Sequence, residues 1–249
     1  MMNYCVRPGL PCDCEYCRTI SDRLEFILAC LGENVCDLIL DIGTELGAYP
    51  SNLACRSDSY VGLDINESYL SAAKTSCSCG NVEFIRMSAD HLGLRDSACN
   101  VVLLVEVIEH LVNDDGALDE IRRVLKPGGM LILTAPNRLF PFETHGLRIG
   151  GRIMGTKGFG IPFLPYLPNS VRNWIANARV YTLSRLKEAL GSRDFLIRSV
   201  GYLSPAYDRM ALNFPGLAEL LRTCSRRMNS TMLSIFSPTI IIQAEKGLV

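Results

Sequence analysis

The chain has 249 residues, of which 48% are hydrophobic and 20% charged, and its formal net charge at pH 7 is −1. This length and hydrophobicity exclude an intrinsically disordered protein and suit one α/β domain with an insertion. The sequence has no basic stripe, which argues against nucleic-acid binding. No apolar run is long enough for a membrane span, and the N-terminus lacks a signal-peptide apolar region. We therefore expect a cytoplasmic protein.

The first 35 residues are predicted to form a cysteine-containing arm followed by a helix. Cys5, Cys12, Cys14 and Cys17 lie close together, and four thiolates can bind zinc or an iron–sulfur cluster. Their spacing lacks a second well-spaced pair, so a reduced arm without metal is the alternative. Helical periodicity follows over residues 19–31, with Ser21 as the expected N-cap.

The remainder, residues 36–249, alternates short apolar runs with amphipathic stretches. The runs predict strands over 38–42, 61–65, 82–87, 101–108, 130–135, 195–202 and 239–243. The stretches predict helices from about residue 48 and over 66–74, 114–125, 183–190 and 217–228, with Asn66 and Thr182 as N-caps. This alternation predicts parallel crossovers and a doubly wound sheet. Residues 137–180, rich in Pro and Gly, interrupt it and are predicted to be a lid or substrate wall.

A glycine-containing loop follows the first predicted strand, in the sequence Asp41-Ile-Gly43-Thr-Glu45-Leu-Gly47. Glycine allows a sharp turn and a close approach of a ligand to the backbone. About 20 residues later the second strand ends in Asp64, where this architecture places a carboxylate on ribose hydroxyls. The pattern predicts a nucleotide-type site at the carboxyl edge of the sheet.

Further motifs follow in order: Ser88-Ala89-Asp90, Glu106-Val-Ile-Glu109-His110 and Leu125-Lys126-Pro127-Gly128-Gly129. Over residues 36–137 the series resembles the class I S-adenosylmethionine-dependent methyltransferases, in particular the type 11, quinone-biosynthesis-like subgroup. The resemblance implies a Rossmann-like, mostly parallel seven-stranded sheet with helices on both faces and an antiparallel last strand. It also implies S-adenosylmethionine as the cofactor.

The resemblance assigns cofactor-binding roles. Asp41 would hold the ammonium of the cofactor, Asp64 both ribose hydroxyls, and Asp90 the adenine amino group. The full predicted set is Asp41, Gly43, Glu45, Gly47, Asp64, Ile65, Asp90, His91 and Glu106. Glu45 replaces the middle glycine of the family pattern. It can point outward, add a second carboxylate near the ammonium, or abolish binding, and we expect binding to survive.

The predicted catalytic residues are Glu109, His110 and His145. If a helix begins at about Glu106, the i, i+3 spacing places Glu106 and Glu109 on one face, beside His110. Similar clusters in some related methyltransferases hold a divalent ion, so Glu106, Glu109, His110 and His145 are candidate ligands for Mg²⁺, Mn²⁺ or Zn²⁺. The alternatives are His110 as a general base without metal, or purely structural roles.

The functional hypothesis is methyl transfer from S-adenosylmethionine to an oxygen of a small or lipid-linked acceptor. The apolar segment 159–168, followed by Trp174, is either a hydrophobic lid or an exposed surface, and both indicate an acceptor with apolar surface and a peripheral membrane contact. The alternative is a cofactor-binding protein without transferase activity, acting as a regulatory or partner subunit. A dinucleotide dehydrogenase fits less well because the loop lacks G-x-G-x-x-G spacing. The oligomeric state is open.

Overall fold

A computed structural model of the chain describes residues 15–33, 35–149, 152–154, 160–203 and 231–248, together with single helical positions between 216 and 227. Its main element is a seven-stranded sheet in the order β10-β11-β5-β4-β1-β2-β3. The strands are β1 (Cys36–Ile42), β2 (Ser57–Asp64), β3 (Val82–Arg86), β4 (Cys99–Leu104), β5 (Leu125–Pro136), β10 (Phe195–Leu203) and β11 (Thr239–Lys246). The predicted α/β, Rossmann-like class is therefore confirmed.

The first predicted strand, β1, lies near the centre of this sheet and pairs in parallel with both β2 and β4. Asp41 lies opposite Gly62 on one side and Leu103 on the other. The carboxyl ends of these strands consequently meet at one edge, at the point where the strand order reverses. In open α/β sheets this is where ligands bind.

The last strand, β11, runs antiparallel to its neighbours. Beside β5, Lys246 Nζ donates to the Leu125 carbonyl at 2.7 Å and Gln243 Nε2 lies 3.6 Å from Met130 Sδ. Beside β10, Gly247 N donates to the Asp194 carbonyl at 2.8 Å. The Arg198 guanidinium meets the Glu245 carboxylate at 2.8 Å. Residue numbers thus fall along β11 as they rise along β5 and β10, as the family resemblance implies.

The helices are α1 (Glu15–Leu31), α2 (Pro50–Leu53), α3 (Glu67–Ser76), α4 (Asp114–Val124), α5 (Asn169–Ile175) and α6 (Leu183–Gly191). Short 3-10 helices occupy Ala54–Arg56, Ile108–His110, Leu164–Tyr166 and Met232–Phe236. The two predicted N-caps are confirmed, since Asn66 Oδ1 accepts from Ser68 N at 3.0 Å and Thr182 Oγ1 from Arg185 N at 3.3 Å. The buried apolar faces of β1, β4 and β5 supply much of the core.

Several predicted boundaries are wrong. Helix α1 begins at Glu15, so Ser21 lies inside it and is not its N-cap. The helix expected from residue 48 is only the four-residue α2, because the chain must return along β1 to pair Ser57 with Cys36. No helix begins at Glu106, whose φ is +57°. Strand β5 begins at Leu125, directly after α4, and not at residue 130.

The chain divides into two compact units. The first comprises Met1–Thr134, Lys187–Ser199 and Ile242–Val249, and the second Ala135–Leu186 and Val200–Ile241. Two small antiparallel ribbons belong to the second unit: β6 (Phe142–Glu143) with β9 (Ile161–Pro162), and β7 (Leu147–Ile149) with β8 (Arg152–Met154). The segment predicted as a lid therefore contains regular structure.

Some predictions fall outside the described residues. They concern Cys5, Cys12 and Cys14, the side chain of Cys17, and most of the helix predicted over 217–228. Within the part of the chain that the structure describes, no helix combines the length and apolarity that crossing a bilayer requires.

Candidate active site

The loop after β1 has the conformation that its glycines allow. Gly43 and Gly47 adopt φ values of +76° and +77°, which L-residues rarely adopt. A Cβ atom on Gly43 would lie 2.3 Å from Val107 Cγ2. The N–H groups of Gly43 and Thr44 both donate to the Leu63 carbonyl, at 2.7 and 2.9 Å, and so fix the loop to the end of β2.

Glu45, at the position of the family's middle glycine, keeps a glycine-like backbone with φ of +47°. Its N–H donates to Asp64 Oδ2 at 3.1 Å, and the residue is exposed. The loop is thus preserved with the side chain directed outward. Although the side chain is exposed by surface area, the surrounding protein removes part of the hydration of its carboxyl group. This desolvation and the nearby Asp64 carboxylate raise the pKa of Glu45, while Arg23 opposes the rise.

Replacing Glu45 with Gly is expected to stabilise the protein by about 0.5–1 kcal/mol. The left-handed conformation costs a non-glycine residue roughly 1–2 kcal/mol, and the added freedom of glycine in the unfolded chain offsets about half of this gain. Chemical denaturation measures the difference. Glu67→Gly, in the first turn of α3 at ordinary helical angles, is the control and should destabilise. Destabilisation by Glu45→Gly would show that the Glu45 side chain stabilises the loop.

Asp64, the last residue of β2, is nearly buried and holds two loops at once. Its Oδ2 accepts from Glu45 N at 3.1 Å, and its Oδ1 accepts from Asn66 N at 2.8 Å. A carboxylate has about four lone-pair sites, so each oxygen can accept one more hydrogen bond. Asp64 is therefore fixed in orientation and retains the capacity to accept from two vicinal hydroxyls.

Asp41 is the most buried acid of the site, with 1% of its surface exposed. Burial raises the pKa of Asp41 to about 6; the neighbouring Thr44 and Tyr60 hydroxyls lower it in part, and the Asp64 charge adds to the rise. Among the described residues, Asp41 Oδ2 meets no donor in hydrogen-bond geometry. A buried carboxylate of this kind is costly unless a cation or donor joins it.

Replacing Asp41 with Asn changes the free energy of unfolding of the ligand-free protein. We expect this change to be more favourable at pH 8 than at pH 4 by roughly 2–3 kcal/mol. Between about pH 4 and 6 the folded protein keeps the proton that the unfolded chain has released. Stability therefore falls as pH rises through this window, and Asn has no proton to lose. Denaturation at both pH values, with exposed Asp58→Asn as the control, measures the effect. Equal Asp41→Asn effects at both pH values would contradict it.

Asp90 and His91 follow β3 at the same edge of the sheet. Asp90 Oδ1 accepts from the Ser88 hydroxyl and lies 3.3 Å from His91 Nδ1, and these two groups lower the pKa of Asp90. The His91 side chain is exposed, as is Ile65 after β2. The adenine contacts assigned to Asp90, His91 and Ile65 stay predictions.

A charge cluster that the sequence did not reveal lies beside this edge. Arg23 Nη2, from α1, lies 3.1 Å from Glu106 Oε1, with 15% of the Arg23 side chain exposed. The buried Thr134 hydroxyl accepts from Glu106 N at 2.8 Å and donates to Glu106 Oε1 at 3.0 Å. These contacts hold Glu106 in its left-handed backbone conformation.

Burial alone would lower the pKa of Arg23, but the Glu106, Tyr49 and Glu109 groups raise it above its ordinary value. The signal that could have identified Arg23 is its position four residues before the fully buried Ile27, on the apolar face of α1. Tyr49 and Thr134 gave no comparable signal.

The proposed catalytic residues are divided between the two units. Glu109 is buried and His110 exposed in the 3-10 helix that follows β4, and both belong to the first unit. His145 belongs to the second unit, where its N–H donates to Glu143 Oε1 at 2.9 Å. The catalytic and metal-binding roles of these residues stay predictions.

The first unit fits S-adenosylmethionine on its own geometry. The glycine loop brings its backbone close to the sheet edge, Asp41 offers a buried anion to an ammonium, and Asp64 offers two oxygens to a diol. Glu45 leaves this arrangement intact because it adopts the glycine conformation.

Comparisons of sequence and fold with known proteins identify methyltransferases as similar proteins. A family model described as a methyltransferase domain matches residues 40–133. The chain is 25% identical over 197 residues to a demethylmenaquinone methyltransferase of Tropheryma whipplei, with 77% of each chain covered. It is 27% identical to a ubiquinone biosynthesis O-methyltransferase of Alkalilimnicola ehrlichii, over 49% of this chain and 52% of that one.

The chain is 29% identical to an uncharacterised methyltransferase of Mycobacterium ulcerans, over 52% of this chain and 51% of that one. It thus spans about half the length of several of the curated relatives that it matches. The fold is similar to that of an S-adenosylmethionine-dependent methyltransferase of Mesorhizobium loti, with a TM-score of 0.60 and 16% identity over 88% of this chain and 96% of that one. Together, the glycine loop, the acid after β2, the sheet order and the family-model match support a methyltransferase domain of the class I, S-adenosylmethionine-dependent type over residues 40–133.

Proposed function

We propose that this protein transfers a methyl group from S-adenosylmethionine to an oxygen of a small or lipid-linked acceptor. The observation that carries the proposal is the buried Asp41 carboxylate beside the glycine loop, with Asp64 oriented at the same edge. The names of the quinone-pathway relatives support an apolar, ring-containing acceptor. The seven described cysteines are all free, which supports a reducing, cytoplasmic setting.

The cofactor, when bound, supplies a methyl group on a sulfonium, which is an excellent leaving group. The protein then has to bind the acceptor, align its oxygen with the methyl group and remove the proton of that oxygen. Asp41 pairs with the ammonium and thereby offsets the cost of its own burial. Asp64 fixes the ribose, and the Arg23–Glu106–Thr134 contacts keep the end of β4 rigid.

Two routes remain for removing the proton of the acceptor hydroxyl. In one, exposed His110 accepts this proton as a general base. In the other, Glu106, Glu109 and His110 would hold a divalent ion, with His145 as the further ligand predicted from the sequence, and the chemistry supplied by such an ion would be a lower pKa of the hydroxyl. The two routes predict different responses to chelation.

The proposal is tested by incubating the protein with labelled donor and a lipid-containing metabolite extract. Label should enter an apolar product as an O-methyl group, and treatment with base separates a base-stable methyl ether from a base-labile methyl ester. Absence of labelled product, despite donor binding in calorimetry, would favour the alternative of a cofactor-binding regulatory or partner subunit. Absence of donor binding would contradict both hypotheses.

His110→Ala is expected to lower the rate of transfer about a hundredfold or more while donor affinity stays unchanged, since a positioned base contributes roughly 10²–10⁴. Activity in excess chelator, followed by addition of single metals, separates the two routes. Retained activity in chelator would leave His110 as a metal-independent base. Lys74→Ala, which changes an exposed residue of α3 outside the predicted site, is the control. An unimpaired His110→Ala variant would exclude both roles of His110.

A further inference from the structure

The second unit exposes a cluster of apolar side chains within twelve residues. Leu164 and Pro165 are buried and anchor this stretch, whereas its neighbours project outward. The exposed side chains are Phe163, Tyr166, Leu167, Val171 and Trp174, here called the apolar face, with Trp174 84% and Phe163 66% exposed. Single exposed apolar residues are ordinary, but a cluster of this density indicates an interaction surface.

Specific contacts within the second unit hold this face outward. The Phe163 N–H donates to the Pro141 carbonyl at 2.7 Å, and its φ of +61° is a conformation that bulky residues rarely adopt. The Tyr166 hydroxyl donates to the Leu139 carbonyl at 2.7 Å. The aromatic rings of Phe163 and Tyr166 lie 6.4 Å apart.

Helix α5 is fixed from beneath by a buried ion pair. Arg172 Nη1 lies 3.7 Å from Glu143 Oε2 and donates to the Ala178 carbonyl at 2.9 Å. Both side chains are almost fully buried, so the Arg172 side of the helix faces inward. Val171 and Trp174, three residues apart, are directed to the exposed side.

The charge of this unit differs strongly from that of the whole chain. Its residues, 135–186 and 200–241, contain eleven Lys and Arg against three Asp and Glu, a formal charge of +8, whereas the chain carries −1. Within residues 135–186 alone there are seven basic residues and the single acid Glu143, which is buried against Arg172. Arg148 and Arg185 are exposed, and Arg148 lies on β7, which packs against α5.

We propose that the apolar face is a docking surface for an anionic lipid bilayer. Exposed Trp, Tyr and Phe side chains insert at the membrane–water interface, and surrounding basic residues attract anionic headgroups. A single-stranded nucleic acid would also match basic and aromatic residues, but the exposed aliphatic side chains of Leu167 and Val171 add hydrophobic area that base stacking does not use and that a bilayer does. This inference extends the proposed function to the place where a lipid-linked acceptor is found.

Trp174 is the only tryptophan of the chain and therefore reports directly on this face. Addition of vesicles of phosphatidylcholine mixed with phosphatidylglycerol should shift its emission to shorter wavelength and carry the protein into the vesicle pellet. Pure phosphatidylcholine should give a much weaker effect, and high salt should weaken binding to the mixed vesicles. No donor or acceptor is present, so this result is independent of the proposed function.

The double variant Phe163→Asn/Val171→Ser keeps the reporter and should lower vesicle partitioning about tenfold or more. Asn tolerates positive φ well, so the variant should remain folded. Val35→Ser, which removes an exposed apolar side chain from the first unit, is the matched control and should leave partitioning unchanged.

Four outcomes would overturn the proposal. They are no binding to mixed vesicles, an equal emission shift with single-stranded RNA, Trp174 emission that is already that of a buried side chain in the protein alone, and self-association that covers the face without lipid. Full partitioning of the double variant would show that binding occurs elsewhere.

Discussion

Replacing Asp64 with Ala is expected to raise the Kd of S-adenosylmethionine by more than about a hundredfold. Two hydrogen bonds from ribose hydroxyls to a carboxylate are lost, each worth roughly 1.5–3 kcal/mol. Calorimetric titration measures the change. The two backbone N–H groups of Glu45 and Asn66 also lose their acceptor, so the glycine loop becomes less well ordered.

Two further variants separate these effects. Asp64→Asn keeps one acceptor oxygen and should give an intermediate Kd. Asp58→Ala removes an exposed acid near the other end of the same strand and should leave affinity unchanged. Unchanged affinity in Asp64→Ala, with the fold intact by circular dichroism, would show that Asp64 does not bind the ribose.

Replacing Arg23 with Met is expected to lower the free energy of unfolding by about 3 kcal/mol. The guanidinium lies 3.1 Å from the Glu106 carboxylate in a largely buried setting, and removal of one partner of such a pair costs roughly 3–5 kcal/mol. Met keeps the apolar length of the side chain, so the loss reports mainly on charge.

The matched control is Arg198→Met, which breaks an ion pair of similar length with Glu245 on the protein surface and should lower the free energy of unfolding far less than Arg23→Met does. The double variant Arg23→Met/Glu106→Gln should recover part of the loss, because no uncompensated charge remains at that point. Equal costs for Arg23→Met and Arg198→Met would contradict a buried role for the Arg23 pair.

The sequence by itself determined the order of the first-unit elements and the cofactor motif. Apolar runs predict buried strands because a parallel sheet is covered on both faces, and these runs identify β1, β2, β4 and β5. The acid that ends β2 and the glycines after β1 are local signals: their roles depend on a strand end and a turn, which neighbouring residues define. The same holds for the caps Asn66 and Thr182.

Sequence alone did not determine the boundaries that depend on strand pairing. Helix α2 is short because the register of β2 against β1 leaves few residues for it. The helix expected from Glu106 is absent because the Thr134 hydroxyl and the Arg23 guanidinium, which are distant in the chain, hold Glu106 at positive φ. No local pattern encodes such partners.

The same distinction separates Glu45 from the apolar face. A glutamate at a glycine position left three outcomes open, and only the contact of its N–H with Asp64 decided that the loop is preserved. From the sequence, the apolar segment 159–168, followed by Trp174, was either a hydrophobic lid or an exposed surface. Its exposure was decided by tertiary structure, because a buried ion pair between Glu143 and Arg172 fixes which side of α5 faces inward. An apolar side chain favours burial, but contacts between residues distant in the chain decide whether the fold buries it.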